Sequence, residues 1–207
     1  LTKDNLKARL AYSTVSQLSY IILGAALANS LGIIGGGMHI AMHAFGKITL
    51  FFCAGAILVA SHKTEISEMK GLGRVMPLTF TAFFIGSLSV IGLPPLGGSW
   101  SKWYLMLSAS EAGLIFFMLI FMLSSLLNIA YLMPVVARGF FSAPEKPEHH
   151  DTDQPVGFWN GLNIGKIHEA PPFCLFAMAI TSGGCILLFF YADKIYKMLA
   201  PVAGIQS

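Results

Sequence analysis

Residues 38–47, MHIAMHAFGK, decide how this chain is read. They lie inside a long apolar stretch, residues 31–60, that also holds Gly35, Gly36 and Gly37. His39, His43 and Lys47 follow at four-residue spacing, so on a helix successive side chains turn by roughly 40° and all three share one face. At 1.5 Å rise per residue the row is about 12 Å long. An uncompensated charge at the centre of a bilayer costs at least about 2.5–3.5 kcal/mol, and Lys47 has apolar residues on both sides. Neutral histidine both accepts and donates a proton near pH 7, and desolvation makes an ammonium easier to deprotonate. The row is therefore a candidate path for protons through intervening water. The rival reading has the histidines hydrogen-bonding across helices and Lys47 snorkelling to an interface.

The rest of the chain agrees with a bilayer setting. Of its 207 residues 55% are hydrophobic and 11% charged, and the mean hydropathy is +0.69; soluble domains carry about 25% charged residues. The expected fold is all-α: a polytopic membrane protein of about five transmembrane helices, forming a single transmembrane domain over residues 1–207. The formal charge of +3 is scattered over loops, which argues against nucleic acid as a partner. Cys53, Cys174 and Cys185 sit in apolar runs without CxxC spacing, so disulfide, zinc and iron–sulfur signatures are all missing. No cofactor motif is found and no metal site is assigned. The polar opening LTKDNLKAR does not read as a cleavable signal peptide, and the chain is expected to begin inside a larger protein.

The spans are read at about residues 6–29, 31–60, 75 onward, 112–137 and 171–191. The first carries a polar ridge of Tyr12, Ser13, Thr14, Ser16, Gln17, Ser19 and Tyr20, which calls for protein or water on one face. The third is interrupted by GLPPLGG: Pro94 and Pro95 remove backbone donors while Gly92, Gly97 and Gly98 relax the chain, so one helix should break within the membrane. Such a break is tolerated where it lines a watery cavity. Lys102 follows one turn later, in GSWSKWYLM; with Trp100 and Trp103 beside it, it reads either as an ionisable group of that cavity or as a snorkelling anchor in an aromatic belt. Lys7 reads either as the entrance to a hydrated path along the first span or as an ordinary cytoplasmic anchor. Asn128 is given no role.

Lys3, Lys7, Arg9, Lys63, Lys70, Arg74, Arg138, Lys146 and Lys166 fall on one side of this arrangement, and only Lys194 and Lys197 on the other. The positive-inside rule then places the N-terminus in the cytoplasm and, after five spans, the C-terminus outside, in a cell's inner (plasma) membrane. Residues 138–169 are expected to be a hydrophilic cytoplasmic loop. Its His149, His150 and Asp151 are the sole hint of a metal, set against a plain exposed acidic loop; without helical spacing or a second ligand cluster the plain loop is preferred.

Three ordered segments, NLKARLAYSTVSQLSYI (5–21), MHIAMHAFGKITLFFCAGAI (38–57) and SVIGLPPLGGSWSKWYLM (89–106), resemble the antiporter-like subunits shared by respiratory NADH–quinone oxidoreductase and multisubunit cation/proton antiporters. The resemblance implies a longer bundle with two inverted half-channel repeats, each with a broken helix and a buried lysine, of which this chain is similar to the C-terminal one. It implies a central role for Lys47, a relay role for His39 and His43, an exit role for Lys102 and an entrance role for Lys7. The family's first half-channel, with its glutamate–lysine pair, has no counterpart in these residues. Residues 167–199 most resemble the D-type subunit of the sodium/proton antiporter. The implied function is a proton-translocating segment of a multisubunit sodium/proton antiporter subunit. The alternatives are a proton-pumping membrane subunit of an NADH–quinone oxidoreductase-like complex, without a redox site of its own, and a non-conducting truncated remnant. Implied partners are other membrane subunits, protons, sodium and the lipid bilayer.

Overall fold

Helices account for the architecture because apolar runs in a bilayer must satisfy their backbone groups internally. The structure, a computed structural model, describes residues 3–142, 163–164 and 167–205. The helices are α1 (Leu6–Ala26), α2 (Ser30–Ser61), α3 (Leu72–Val75), α4 (Pro77–Ile91), α5 (Gly98–Glu111), α6 (Ile115–Phe141), α7 (Pro172–Phe190) and α8 (Ala192–Leu199). Two-residue strands, Asn163–Ile164 and Ile167–His168, pair antiparallel before α7. The chain is thus an all-α polytopic membrane protein with a helix broken at the Gly/Pro run, as its hydropathy requires.

Among the described residues, only α2, α6 and α7 are both long and apolar enough to cross a membrane by themselves. The remaining two crossings differ for physical reasons. α1 is long enough at 21 residues but carries polar side chains on its inner face, and the pair α4 and α5 shares one crossing between two short halves. Gly92, with φ +89°, ends α4, and α5 resumes at Gly98. In the interval the Gly97 amide donates to the Cys185 carbonyl of α7 at 3.0 Å, so the break is held by a neighbouring helix.

α2 is the central helix, packed by α1, α4, α5 and α7. Side-chain caps set its register: Asn29 accepts from the Gly32 amide at 2.8 Å and also exchanges bonds with Ser108 at the end of α5. Close approach of α2 to α5 depends on Gly35, where a Cβ would stand 2.9 Å from the Leu105 amide nitrogen. The main apolar core lies toward the N-terminal end of α1, around Leu10, Leu50, Phe80, Phe83 and Leu132. A smaller cluster of Ile34, Met38 and Met42 is covered by α8 and the tail.

The two ends of the bundle are distinct. At one, Leu6 donates to Thr64, Gly71 to the Arg138 carbonyl and Arg74 to the Phe140 carbonyl. At the other, Ser30 donates to the Ala203 carbonyl and Asn29 to that of Ser108. Lys3, Lys7, Arg9, Lys63, Lys70, Arg74 and Arg138 gather at the first end and Lys194 and Lys197 at the second. α6 continues past residue 137 to Phe141 because those backbone bonds and the contact of Gly139 with Phe80 hold its last turn. Residues 143–162, which include His149, His150, Asp151 and Lys146, lie outside the described residues, as does Lys166. Glu169, at the end of that hydrophilic stretch, is buried and accepts from the Leu78 amide at 2.6 Å and the Thr79 hydroxyl at 2.7 Å. Its carboxylate therefore caps the N-terminus of α4, where unsatisfied amides favour negative charge.

Candidate functional site

The α2 row folds as its spacing demands. His39, His43 and Lys47 are all buried on one face, and the rings of His39 and His43 stack with centroids 5.7 Å apart. The Lys47 ammonium donates to the Leu10 carbonyl at 3.1 Å and to the Ser13 hydroxyl at 2.7 Å, both on α1. Only 5% of Lys47 is exposed, so it does not snorkel.

Lys102 is buried as deeply, at 4% exposure. Its ammonium donates to the Val90 and Ile91 carbonyls at 2.8 and 2.9 Å and to the Ser125 hydroxyl of α6 at 3.3 Å. The first two are the acceptors freed where α4 stops, so the helix break supplies the site that a cation needs. Lys102 also lies 5.0 Å from the Tyr20 ring centroid. A groove lined by Gly92, Pro94, Ser99, Lys102, Trp103 and Ser125 opens beside it. Trp103 is exposed and Trp100 borders on exposure while Lys102 is not, which separates the lysine from the aromatic belt.

Between the two lysines the polar groups are nearly continuous. Tyr20 stacks on His39 at 5.4 Å, and His39 Nδ1 lies 3.0 Å from the Ser101 hydroxyl, next in sequence to Lys102. Ser101 also donates to the Gly98 carbonyl at 3.1 Å. With its single proton so directed, Ser101 accepts from His39 Nδ1, leaving the Nε2 lone pair free. That Nε2, His43 Nδ1 and both amide atoms of Gln17 are buried without hydrogen-bond partners among the described residues. Buried polar atoms are normally satisfied by protein or ordered water, so this row has the chemistry of a hydrated path. Neither lysine meets a carboxylate among the described residues; the acceptors are neutral throughout.

Lys7 does not join the row by direct contact. It is exposed on the first turn of α1, three residues before Leu10, whose carbonyl holds Lys47. Gly92, Pro94, Pro95, Gly97 and Gly98 form the break. Sequence reasoning missed the residues that complete the site from other helices: Ser101, Ser125 and Tyr131, and the position of Asn128. Ser13 and Tyr131 hydroxyls are in direct hydrogen-bond contact, and Tyr131 donates to Asn128 Oδ1 at 2.6 Å. For α1 a signal was available, since Leu6, Leu10, Ser13, Gln17, Tyr20 and Gly24 recur at helical spacing and are the buried face.

Comparison with known proteins places the chain in a family. Residues 1–128 match the family described as NADH:quinone oxidoreductase/Mrp antiporter, TM. The chain is 39% identical over 203 residues to NADH-quinone oxidoreductase subunit N of Desulforudis audaxviator, covering 98% of this chain but 40% of that protein. Its fold resembles a chain of respiratory complex I from Thermus thermophilus, with TM-score 0.77 and 20% identity, over 97% of this chain and 39% of the other. It also resembles a chain of the Mrp complex from Dietzia sp. DQ12-45-1b, with TM-score 0.68 and 23% identity, over 99% of this chain and 45% of the other. The chain therefore spans less than half the length of these three.

Proposed function

The chain belongs to the NADH:quinone oxidoreductase/Mrp antiporter transmembrane family, and from that premise we propose that it is a proton-translocating segment of a larger membrane subunit. In this reading the proton passes among Lys47, His43, His39 and Lys102. The observation that carries it is a pair of buried ammonium groups held by neutral acceptors, with a stacked histidine pair and unpartnered polar atoms between them. A purely structural lysine at this depth would be paired or would reach an interface. Lys7, at the surface end of α1, is the proposed entrance, and Lys102, beside the open groove at the break, the proposed exit.

Two energy sources fit the same groups. Sodium/proton antiport is supported by the resemblance of residues 167–199 to the D-type subunit of an antiporter. Redox-driven pumping is supported by the 39% identity to a quinone oxidoreductase subunit N. In either case other membrane subunits are the partners. Vesicles carrying the complete complex separate the readings: proton flux driven by a sodium gradient supports the first, flux driven by NADH the second, and flux under neither condition a non-conducting remnant. In the driven case Lys102→Ala is expected to lower flux about tenfold or more while the complex still assembles, because a positioned proton-transfer group is typically worth at least that. Wild-type flux from an assembled Lys102→Ala complex would make Lys102 an anchor and end its exit role.

The charge asymmetry of the two bundle ends supports a cytoplasmic N-terminus and an external C-terminus. Cysteines introduced at the exposed positions Glu68 and Ala112, with the three native cysteines replaced by alanine, are expected to react with an impermeant thiol reagent from the cytoplasmic and external sides respectively. Labelling of both from one side would defeat the topology.

A further inference from the structure

Beside the α2 row stands a group of polar side chains on two other helices: Ser13 and Gln17 on α1, Asn128 and Tyr131 on α6, all buried but Tyr131, which is partly so. They are not scattered. Lys47 donates to Ser13, Ser13 and Tyr131 share a hydrogen bond, and Tyr131 donates to Asn128. The Asn128 amide nitrogen and both amide atoms of Gln17 make no hydrogen bond of good geometry among the described residues, although Gln17 approaches the Tyr131 hydroxyl and Asn128 that of Tyr20.

Donor direction gives this line a meaning. An ammonium has only donors, so Ser13 accepts from Lys47; and since Tyr131 spends its single proton on Asn128 Oδ1, Ser13 is the donor in the Ser13–Tyr131 bond. Every O–H in the line therefore points away from Lys47, an arrangement that serves a protonated lysine. Once Lys47 releases a proton, its amine gains a lone pair facing Ser13. The Ser13 proton can then turn toward the amine, the Tyr131 proton toward Ser13, and the Asn128 amide nitrogen toward the Tyr131 oxygen. Only rotations are involved; no bond to a heavy atom forms or breaks.

We propose that Ser13, Tyr131 and Asn128 form a reversible hydrogen-bond relay that holds Lys47 in its protonated state and carries the loss of that proton to α6, with Tyr131 as a positioning residue. The proposal rests on the proton-translocation reading above. The titratable groups on the helices around Lys47 are His39, His43 and Cys53 on α2, Lys7, Arg9, Tyr12 and Tyr20 on α1, Lys102, Tyr104 and Glu111 on α5, and Tyr131 and Arg138 on α6. α4 has none, and α7 has only the thiols Cys174 and Cys185. Arg9 also donates to the Tyr131 carbonyl at 3.3 Å, which ties this turn of α6 to α1.

The test is a double-mutant cycle in vesicles carrying the complete complex, with subunit content measured in parallel. Tyr131→Phe keeps the ring and loses the hydroxyl, and is expected to lower proton flux roughly three- to tenfold, the usual net worth of one neutral hydrogen bond. Ser13→Ala should do the same, Ser13→Thr should retain flux, and the double variant should be no worse than the poorer single, since both break one line. Additive losses, or unchanged flux in Tyr131→Phe, overturn the relay. Infrared spectra with ring-labelled tyrosine supply a measurement independent of flux. The band absent in Tyr131→Phe should shift in Lys47→Gln, and an unmoved band also overturns it. If Lys47→Arg itself transports normally, the translocation reading fails; if it does not and Tyr131→Phe does, the relay alone fails.

Discussion

Lys47→Arg is expected to lower proton flux by about two orders of magnitude, the usual worth of a positioned acid–base group, with the complex still assembled. Arginine keeps the positive charge and can donate to the same Leu10 carbonyl and Ser13 hydroxyl. It does not release a proton under working conditions, and its wider guanidinium would fill the path with fixed charge. Charge alone is then insufficient, and Lys47→Ala should be as defective for a different reason, the loss of the carrier. Both are read as flux in vesicles bearing the complete complex, normalised to subunit content. Normal transport by Lys47→Arg would show that titration at this position is dispensable.

Gly98→Ala should be the most damaging single methyl in the chain for stability. An added Cβ would stand 1.9 Å from the Ser89 carbonyl oxygen and 3.0 Å from its carbon. Both are backbone atoms of α4, so no side chain can swing aside, and overpacking of this kind costs about 1–3 kcal/mol or more. The start of α5 would have to withdraw from α4, taking Lys102 off the Val90 and Ile91 carbonyls. Gly97→Ala is the comparison: its Cβ would meet Leu188 Cβ at 2.9 Å and Met42 Cγ at 3.2 Å, an overlap smaller by about 1 Å than at Gly98. Thermal inactivation in detergent should rank wild type above Gly97→Ala and Gly97→Ala above Gly98→Ala. Equal midpoints for all three would mean that the two halves of the broken helix are not packed as described.

These two expectations also mark what was legible in the sequence. The row on α2 was readable because the spacing of His39, His43 and Lys47 is a property of one helix. The break was readable because proline and glycine act locally. What Lys47 touches was not, since Ser13, and Tyr131 behind it, are set in place by the rotation and depth of two other helices, which no single-helix pattern specifies. The seven-residue polar ridge of α1 shows the difference: Ser13, Gln17 and Tyr20 turn inward while Tyr12, Ser16 and Ser19 face out. Tyr131 stood among apolar residues with nothing to mark it, and Glu169 looked like one more acid of a hydrophilic stretch. Lys102 was left between two readings until its burial removed the snorkelling one.

Glu169 and Lys102 bind opposite ends of α4, and both come from elsewhere in the chain. A rod moored at each tip transmits push and pull along its length instead of flexing. At 15 residues it is about 22 Å long, so one helix joins Glu169, before α7, to the buried lysine, whose two carbonyl acceptors are the last groups of that helix. The span that looks interrupted is, from Glu169 to the interruption, a continuous link between one end of the bundle and the charge within it.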